Sequence, residues 1–158
     1  MDATGPTTPT LVELDAATTA VIAAVLAPDE LVAFFDRSFG AIAQAAAAQG
    51  VVLQGAAFAR YHGPPGERID LEVGFPTDRP VEPTGDVRPG SLPAGRVAQV
   101  VHAGSFDGLG EAWGRLQAWI SEQGLDAGGE LWEVYLTEPS PDMDPADLRT
   151  ELNWVVRG

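Results

Sequence analysis

Residues 58–62 have the sequence FARYH, and 74 positions later residues 132–136 have the sequence WEVYL. The two segments share an aromatic residue at the first position and a tyrosine at the fourth, and a glycine precedes each at the same distance, Gly55 and Gly129. Apolar and polar residues alternate through 131–136, which is the pattern of a β-strand with two different faces. The match therefore predicts that the chain contains this strand twice, in two similar halves.

The same offset aligns the segments that precede these strands. Apolar residues recur every three or four positions in 29–49 and in 106–123, which predicts an amphipathic helix in each half, ended by Gly50 and Gly124. The aligned apolar positions are Phe35, Phe39, Ile42 and Ala46 in the first helix and Leu109, Trp113, Leu116 and Ile120 in the second. Beyond the strands the offset becomes 79, and Glu72 and Phe75 align with Glu151 and Trp154.

Each half is thus predicted to form a strand, a helix and two further strands. The predicted strands are 11–27, 51–62 and 69–75, then a short one near Val87, then 95–102, 131–136 and 150–156. Because one such unit cannot cover both faces of its sheet, we expect two units side by side. The predicted fold is α+β: duplicated units form an antiparallel sheet, with two helices on one face and a ligand cleft on the other.

The domain organisation follows from length and composition. Residues 1–10 are rich in Thr and Pro without periodicity, which predicts a disordered tail. Residues 11–158 are long enough for one domain, with pseudo-repeats at about 11–76 and 86–156. The first residues contain no basic residue and no apolar core, so we expect no signal peptide. The longest uncharged apolar stretch, 16–27, is too short to span a bilayer. We therefore expect a cytoplasmic protein without membrane contact.

The formal charge is −14, from 9 basic and 23 acidic residues, and none of the basic residues is lysine. Such a surface repels phosphate backbones, so we expect no direct nucleic-acid binding. It favours cationic small molecules or a basic patch on a protein partner. The chain has no cysteine, no glycine-rich phosphate loop and no Gly-x-Ser-x-Gly sequence. The spacing of His62 and His102 does not indicate a metal site, so we predict neither metal nor cofactor.

Five segments together resemble a known family: 58–63 (FARYHG), 70–76 (DLEVGFP), 101–104 (VHAG), 131–137 (LWEVYLT) and 147–154 (DLRTELNW). In order and spacing they are similar to gyrase-inhibitor-like (GyrI-like) effector-binding domains, over about residues 11–156. The resemblance implies the duplicated fold and a cleft for small, often cationic or aromatic molecules. In this family the domain is fused to a helix-turn-helix regulator or stands alone, and because this chain is acidic throughout and has no room for a DNA-binding module, we expect a stand-alone member. Such relatives bind toxic compounds, hydrolyse strained cyclopropane rings of DNA-alkylating natural products, or bind gyrase.

Glu133 is the first candidate site residue, and the resemblance places a key acidic residue at this position. Alternation puts Glu133 and Tyr135 on one face of the strand, and Trp132, Val134 and Leu136 on the other. We expect the apolar set to face the helices and Glu133 to face the cleft. A desolvated carboxylate costs several kcal/mol without a partner, and a cationic ligand would supply one. The alternatives are a general acid or base, or a glutamate that is solvated or paired with Arg60 or Arg149.

Aromatic residues complete the predicted site. Tyr61 and Tyr135 occupy equivalent positions, so we expect them to approach each other and line the cleft, with half-buried sheet positions as the alternative. Phe75 and Trp154 form a second equivalent pair that would wall the cleft or pack in the core. Trp113 lies on the helix stripe, where a core role competes with ligand contact.

The sequence is compatible with three functions. The first is a domain that senses or sequesters cationic or aromatic amphiphiles, with Glu133 as charge partner. The second is a hydrolase that opens electrophilic cyclopropane rings, using Glu133 and a tyrosine, Tyr135, for detoxification or self-resistance. The third is an acidic protein-interaction module, such as a gyrase modulator.

Overall fold

The computed structural model describes residues 8–62, 68–105, 108–137 and 144–157. Most of the predicted tail, residues 63–67, Phe106 and most of the acidic, Pro-rich segment 138–147 lie outside these residues. Within them the strands are β1 (Thr10–Leu14), β2 (Ala17–Leu26), β3 (Phe58–Tyr61), β4 (Ile69–Pro76), β5 (Arg88–Leu92), β6 (Gly95–Ala103), β7 (Asp126–Tyr135) and β8 (Arg149–Arg157). The helices are α1 (Leu31–Gln49) and α2 (Leu109–Glu122).

The chain divides into two compact units, residues 15–94 (the first unit) and residues 1–14 with 95–158 (the second unit). In the first unit the strand order is β3-β4-β2-β5, every pairing is antiparallel, and α1 packs against β2 and β4. Its core contains the fully buried side chains of Phe34, Ile42, Phe58, Leu71 and Val73.

The second unit repeats this arrangement with the order β7-β8-β6-β1, again antiparallel, and α2 packs against β6 and β7. Its core cluster contains Ala98, Leu116, Ile120, Leu152 and Val156. The predicted α+β fold of antiparallel strands and two helices is confirmed.

The strand register confirms the duplication residue by residue. In the first unit Ala59 lies opposite Val73, and in the second Glu133 lies opposite Leu152, which are the positions related by offsets of 74 and 79. Both helices are followed by a glycine with a left-handed backbone, Gly50 at φ 68° and Gly124 at φ 75°. Only glycine adopts this conformation without steric cost, so the repeated Gln-Gly pair ends both helices.

The predicted strand at 11–27 is instead two strands with different partners. The exposed residues Asp15 and Ala16 separate β1, which pairs with β6, from β2, which pairs with β4 and β5. The short strand predicted near Val87 is β5, and it pairs with β2. Each compact unit therefore takes its outer strand from the other predicted repeat. β1 belongs to the second unit but falls within the predicted first repeat, and β5 belongs to the first unit but falls within the predicted second repeat.

The bounds of two strands and the buried face of α1 also differ from the sequence prediction. Only 58–61 of the predicted strand 51–62 is β3, while β7 begins at Asp126 rather than at 131. The buried face of α1 is centred on Phe34, Ser38 and Ile42. Phe35 and Phe39 are half-buried, one step around the helix from this face.

Candidate functional site

Glu133 lies on the face of the sheet that α2 covers. In antiparallel pairs, directly opposite residues point to the same side, and Glu133 lies opposite Leu152, a member of the core cluster beneath α2. The expectation that Trp132, Val134 and Leu136 face the helix is therefore wrong. The alternation itself is correct, but the polar set faces α2, and Trp132 is buried on the opposite face, with 3% of its surface exposed.

The Glu133 carboxylate is buried and accepts hydrogen bonds from two aromatic side chains. Only 4% of the residue is exposed. The Tyr135 hydroxyl donates to Oε2 at 2.6 Å, and the Trp113 Nε1–H donates to Oε1 at 3.2 Å. Hydrogen bonds to a charged acceptor are stronger than neutral ones, so both donors help to hold a carboxylate away from water. The sequence left open whether Trp113 packs in the core or contacts a ligand. In the structure Trp113 is half-buried and donates a hydrogen bond to this carboxylate.

Trp154 extends this aromatic group. Its ring meets that of Trp113 edge to face, with centroids 5.7 Å apart and an interplanar angle of 78°. Its Nε1–H donates to the backbone carbonyl of Gly128 at 2.9 Å. Glu133, Tyr135, Trp113 and Trp154 thus form one connected group, which we call the carboxylate cluster.

A bulge in β7 places the carbonyl that holds Trp154. The register shifts between Ala127, opposite Val156, and Leu131, opposite Trp154, so that β7 contains two more residues than β8 in this interval. Gly128 lies in the bulge, where a Cβ would be 2.9 Å from the carbonyl oxygen of Val155. Gly128 was not among the predicted site residues, although a Gly-Gly pair beside a strand is a signal for a bulge.

The first unit repeats the aromatic pair without the carboxylate. Phe39 and Phe75 meet with centroids 5.5 Å apart at 66°, as Trp113 and Trp154 do. The position of Glu133 is occupied there by Ala59, which is fully buried. The offset of 74 aligns Glu133 with Ala59, and this chemical difference between the halves is present in the folded units.

The structure brings four of the six predicted ligand residues together in the second unit. Tyr61 and Phe75 belong to the first unit, where Tyr61 is half-buried at the end of β3. The predicted approach of Tyr61 to Tyr135, and the cleft between the halves, stay predictions. Arg149, considered as a partner of Glu133, donates to the backbone carbonyls of Ala146 and Leu148.

Thr150 is a further polar residue at the cluster and was not among the predicted site residues. It lies opposite Tyr135 on β8 and is fully buried, and its hydroxyl has no hydrogen-bond partner among the described residues. Buried polar atoms normally have a partner.

Neither a metal-binding cluster nor a membrane-spanning helix occurs among the described residues. In these residues no group of three or more His, Cys, Asp or Glu side chains could hold a metal ion. No helix in the same part of the chain combines the length and apolar character needed to cross a membrane.

Comparison with known proteins identifies a family. The model of the GyrI-like small molecule binding domain matches residues 7–157. No curated protein matches the chain. The crystal structure of the EcmrR C-terminal domain is 19% identical, with a TM-score of 0.84, over 95% of this chain and 97% of that domain. In an EcmrR–DNA complex the match has 20% identity and a TM-score of 0.81, and it covers 94% of this chain but only 57% of the EcmrR chain.

Two other solved structures share the fold at lower identity. A hydrolase from Listeria innocua is 15% identical, with a TM-score of 0.67, over 94% of this chain and 91% of its own. SAV2435 bound to tetraphenylphosphonium is 13% identical, with a TM-score of 0.62, over 96% of this chain and 95% of its own. At these identities the likeness shows the fold alone.

Proposed function

Because the chain belongs to the family of GyrI-like small-molecule-binding domains, we propose that it senses or sequesters cationic aromatic amphiphiles. The observation that carries the proposal is the buried Glu133 carboxylate, which accepts hydrogen bonds from Tyr135 and Trp113. The Trp154 ring packs against the indole of Trp113. A negative charge surrounded by aromatic rings is complementary to a cation that carries its own apolar groups.

The energetics favour a lipophilic cation over a small hydrated one. Each aromatic face adds about 0.5–2 kcal/mol to the binding of a cation, with the larger values in desolvated sites. A cation whose charge is covered by aromatic groups has little hydration to lose on entering a buried site. The formal charge of −14 attracts cations to the protein in the first place. SAV2435, which has the same fold, was solved with such a cation, tetraphenylphosphonium.

Calorimetric titration with tetraphenylphosphonium tests the proposal. We expect saturable binding by the wild type and a loss of about 10-fold or more in Glu133→Gln, which keeps the shape of the side chain and removes its charge. Glu111→Gln, an exposed change on α2, is the control for net charge and should bind as the wild type does. Tetraphenylborate, an anion of matching shape, should not bind. Equal affinity of wild type and Glu133→Gln, or equal binding of the two ions, would contradict the proposal.

A second candidate function rests on the 2.6 Å contact between the Tyr135 hydroxyl and Glu133. A buried carboxylate next to a phenol can take a proton from water while the phenol orients the reactant. In hydrolysis of an electrophilic cyclopropane, the water oxygen bonds to a ring carbon and that ring C–C bond breaks. Its electron pair passes to the conjugated carbonyl, and the proton taken from water returns to the product.

Turnover separates the two functions. The protein is incubated with an excess of a cyclopropane-containing alkylating compound, and the ring-opened product is counted against protein. Product in excess of protein that is lost in Glu133→Ala supports the hydrolase. Depletion that stops at one equivalent, with the compound recovered intact after denaturation, supports sequestration and contradicts the hydrolase.

A further inference from the structure

The first unit contains a groove that involves no residue of the carboxylate cluster. It has a volume of about 670 Å³ and is bordered by α1, β2 and the turn at residues 84–87. Its apolar floor is formed by Ile22, Phe34 and Val87, which are buried. All its lining residues lie within 22–87, whereas the carboxylate cluster belongs to the second unit.

The duplication supplies an internal comparison for this groove. The second unit has a groove in the equivalent place, along α2 and β6, with a smaller volume of about 440 Å³. At the offset of 74, three alanines that line the first groove correspond to larger residues that line the second. The pairs are Ala41 and Arg115, Ala45 and Trp119, and Ala48 and Glu122, while at one pair the first groove has the larger residue, Gln44 against Ala118.

The same position of the fold is therefore partly filled by side chains in one unit and left open in the other. Ala41 and Ala48 are exposed positions of α1, where longer residues form helices nearly as well as alanine. Helix propensity therefore does not explain the small residues on α1. Their effect is to leave a larger space beside β2.

Ser38 provides the second, independent observation. It lines the groove, is 1% exposed, and its Oγ has no hydrogen-bond partner among the described residues. The equivalent residue of the second unit is Ala112, which has no polar atom in its side chain. A buried hydroxyl without a partner is unfavourable, and a ligand in the groove could supply the missing hydrogen bond.

The charges around the groove indicate an uncharged ligand. Arg37 from α1 and Asp86 from the turn are exposed lining residues of opposite sign, so their formal charges cancel. The guanidinium of Arg37 already lies over the Phe34 ring, 5.4 Å from its centroid. The polar group at the buried part of the groove is a neutral hydroxyl, which would not compensate a charged group for lost hydration.

We propose that this groove is a second binding site, for an uncharged aromatic amphiphile whose hydroxyl or amide group hydrogen-bonds with Ser38. The apolar part of the ligand lies on Ile22, Phe34 and Val87, beside the three alanines of α1 that line the groove. The site is chemically distinct from the carboxylate cluster, which suits cations, and it does not depend on the proposed function of that cluster.

The test is an NMR titration of the isotope-labelled protein with 2-naphthol, an uncharged aromatic alcohol. We expect saturable shifts of backbone amides in residues 38–48 and 84–87. Ala41→Trp places an indole in the groove and should abolish these shifts. Ala47→Trp is the matched control, because Ala47 is an exposed alanine on the same helix that does not line the groove.

Two further variants exclude a purely structural explanation. Ser38→Ala should weaken 2-naphthol binding by about 5-fold or more, while its thermal stability is equal to or above that of the wild type, because an unpaired hydroxyl is removed. Glu133→Gln should leave 2-naphthol affinity unchanged. The proposal is overturned if no saturable shifts occur, if Ala41→Trp and Ala47→Trp bind equally, if Ser38→Ala binds as the wild type does, or if Glu133→Gln abolishes binding.

Discussion

The hydrogen bond between the Tyr135 hydroxyl and the Glu133 carboxylate is expected to stabilise the folded protein measurably. The oxygen atoms are 2.6 Å apart, and Glu133 is only 4% exposed, so water cannot readily replace the phenol. Hydrogen bonds to charged groups contribute about 1.5–3 kcal/mol. We therefore expect Tyr135→Phe to lower the free energy of unfolding by about this amount, which corresponds to a fall in melting temperature of about 3–12 °C for a chain of this length.

The pairwise contribution is isolated by a double-mutant cycle with Glu133→Leu. In the leucine background the phenol has no carboxylate to bind, so Tyr135→Phe should cost about 0.5 kcal/mol or less. Leucine also removes a buried carboxylate, and the single variant Glu133→Leu can therefore be close to neutral in stability. The coupling energy, and not either single value, measures the hydrogen bond.

Urea unfolding followed by circular dichroism provides the four free energies, with equal m-values required across the set. The control is Ile42→Val, a change in the fully buried core of the first unit that should cost about 0.5–1.5 kcal/mol. Its effect should add to that of Glu133→Leu within about 0.5 kcal/mol. If Tyr135→Phe costs the same with glutamate and with leucine at position 133, the hydrogen bond does not stabilise the fold and the reasoning is refuted.

Two further predictions concern the backbone around the sheets. Gly74→Ala should lower the free energy of unfolding by about 1–3 kcal/mol in urea, because its Cβ would collide with the backbone carbonyl oxygen of Ala20. Gly129→Ala, which meets no atom within 4 Å, is the control, and equal costs would contradict this explanation. Trp154→Phe should cost about 1 kcal/mol by the same measurement, because the indole loses its bond to Gly128, and an unchanged stability would show that the bond contributes nothing.

Local sequence pattern predicted the elements and their duplication well. The helices, the glycines that end them, and the alignment of Phe39 with Trp113 and of Phe75 with Trp154 follow from spacing along the chain. These features depend on residues close together in sequence, or on comparison of two similar segments, so they need no knowledge of pairing between distant strands. Both aromatic pairs are in contact in the folded units.

Such local patterns did not predict which strands pair with one another. β1 and β2 follow one another with only Asp15 and Ala16 between them, yet they pair in different units. Neither residue is a strong breaker, and the choice between two partner strands depends on register and packing over the whole unit. The bulge at Gly128 and the open groove beside Ser38 likewise depend on what lies opposite each residue.

For this protein the sequence by itself determined that there are two similar halves and that their chemistry differs, since Glu133 aligns with Ala59. Only the tertiary structure decided where that difference lies. Alternation defines two faces of a strand but cannot say which face a helix covers, and here Trp132 and Glu133 are both buried, on opposite sides. The pairing of Glu133 with Leu152 and its hydrogen bond from Trp113 place the carboxylate beneath α2, because burial is a property of the packed units and not of one strand.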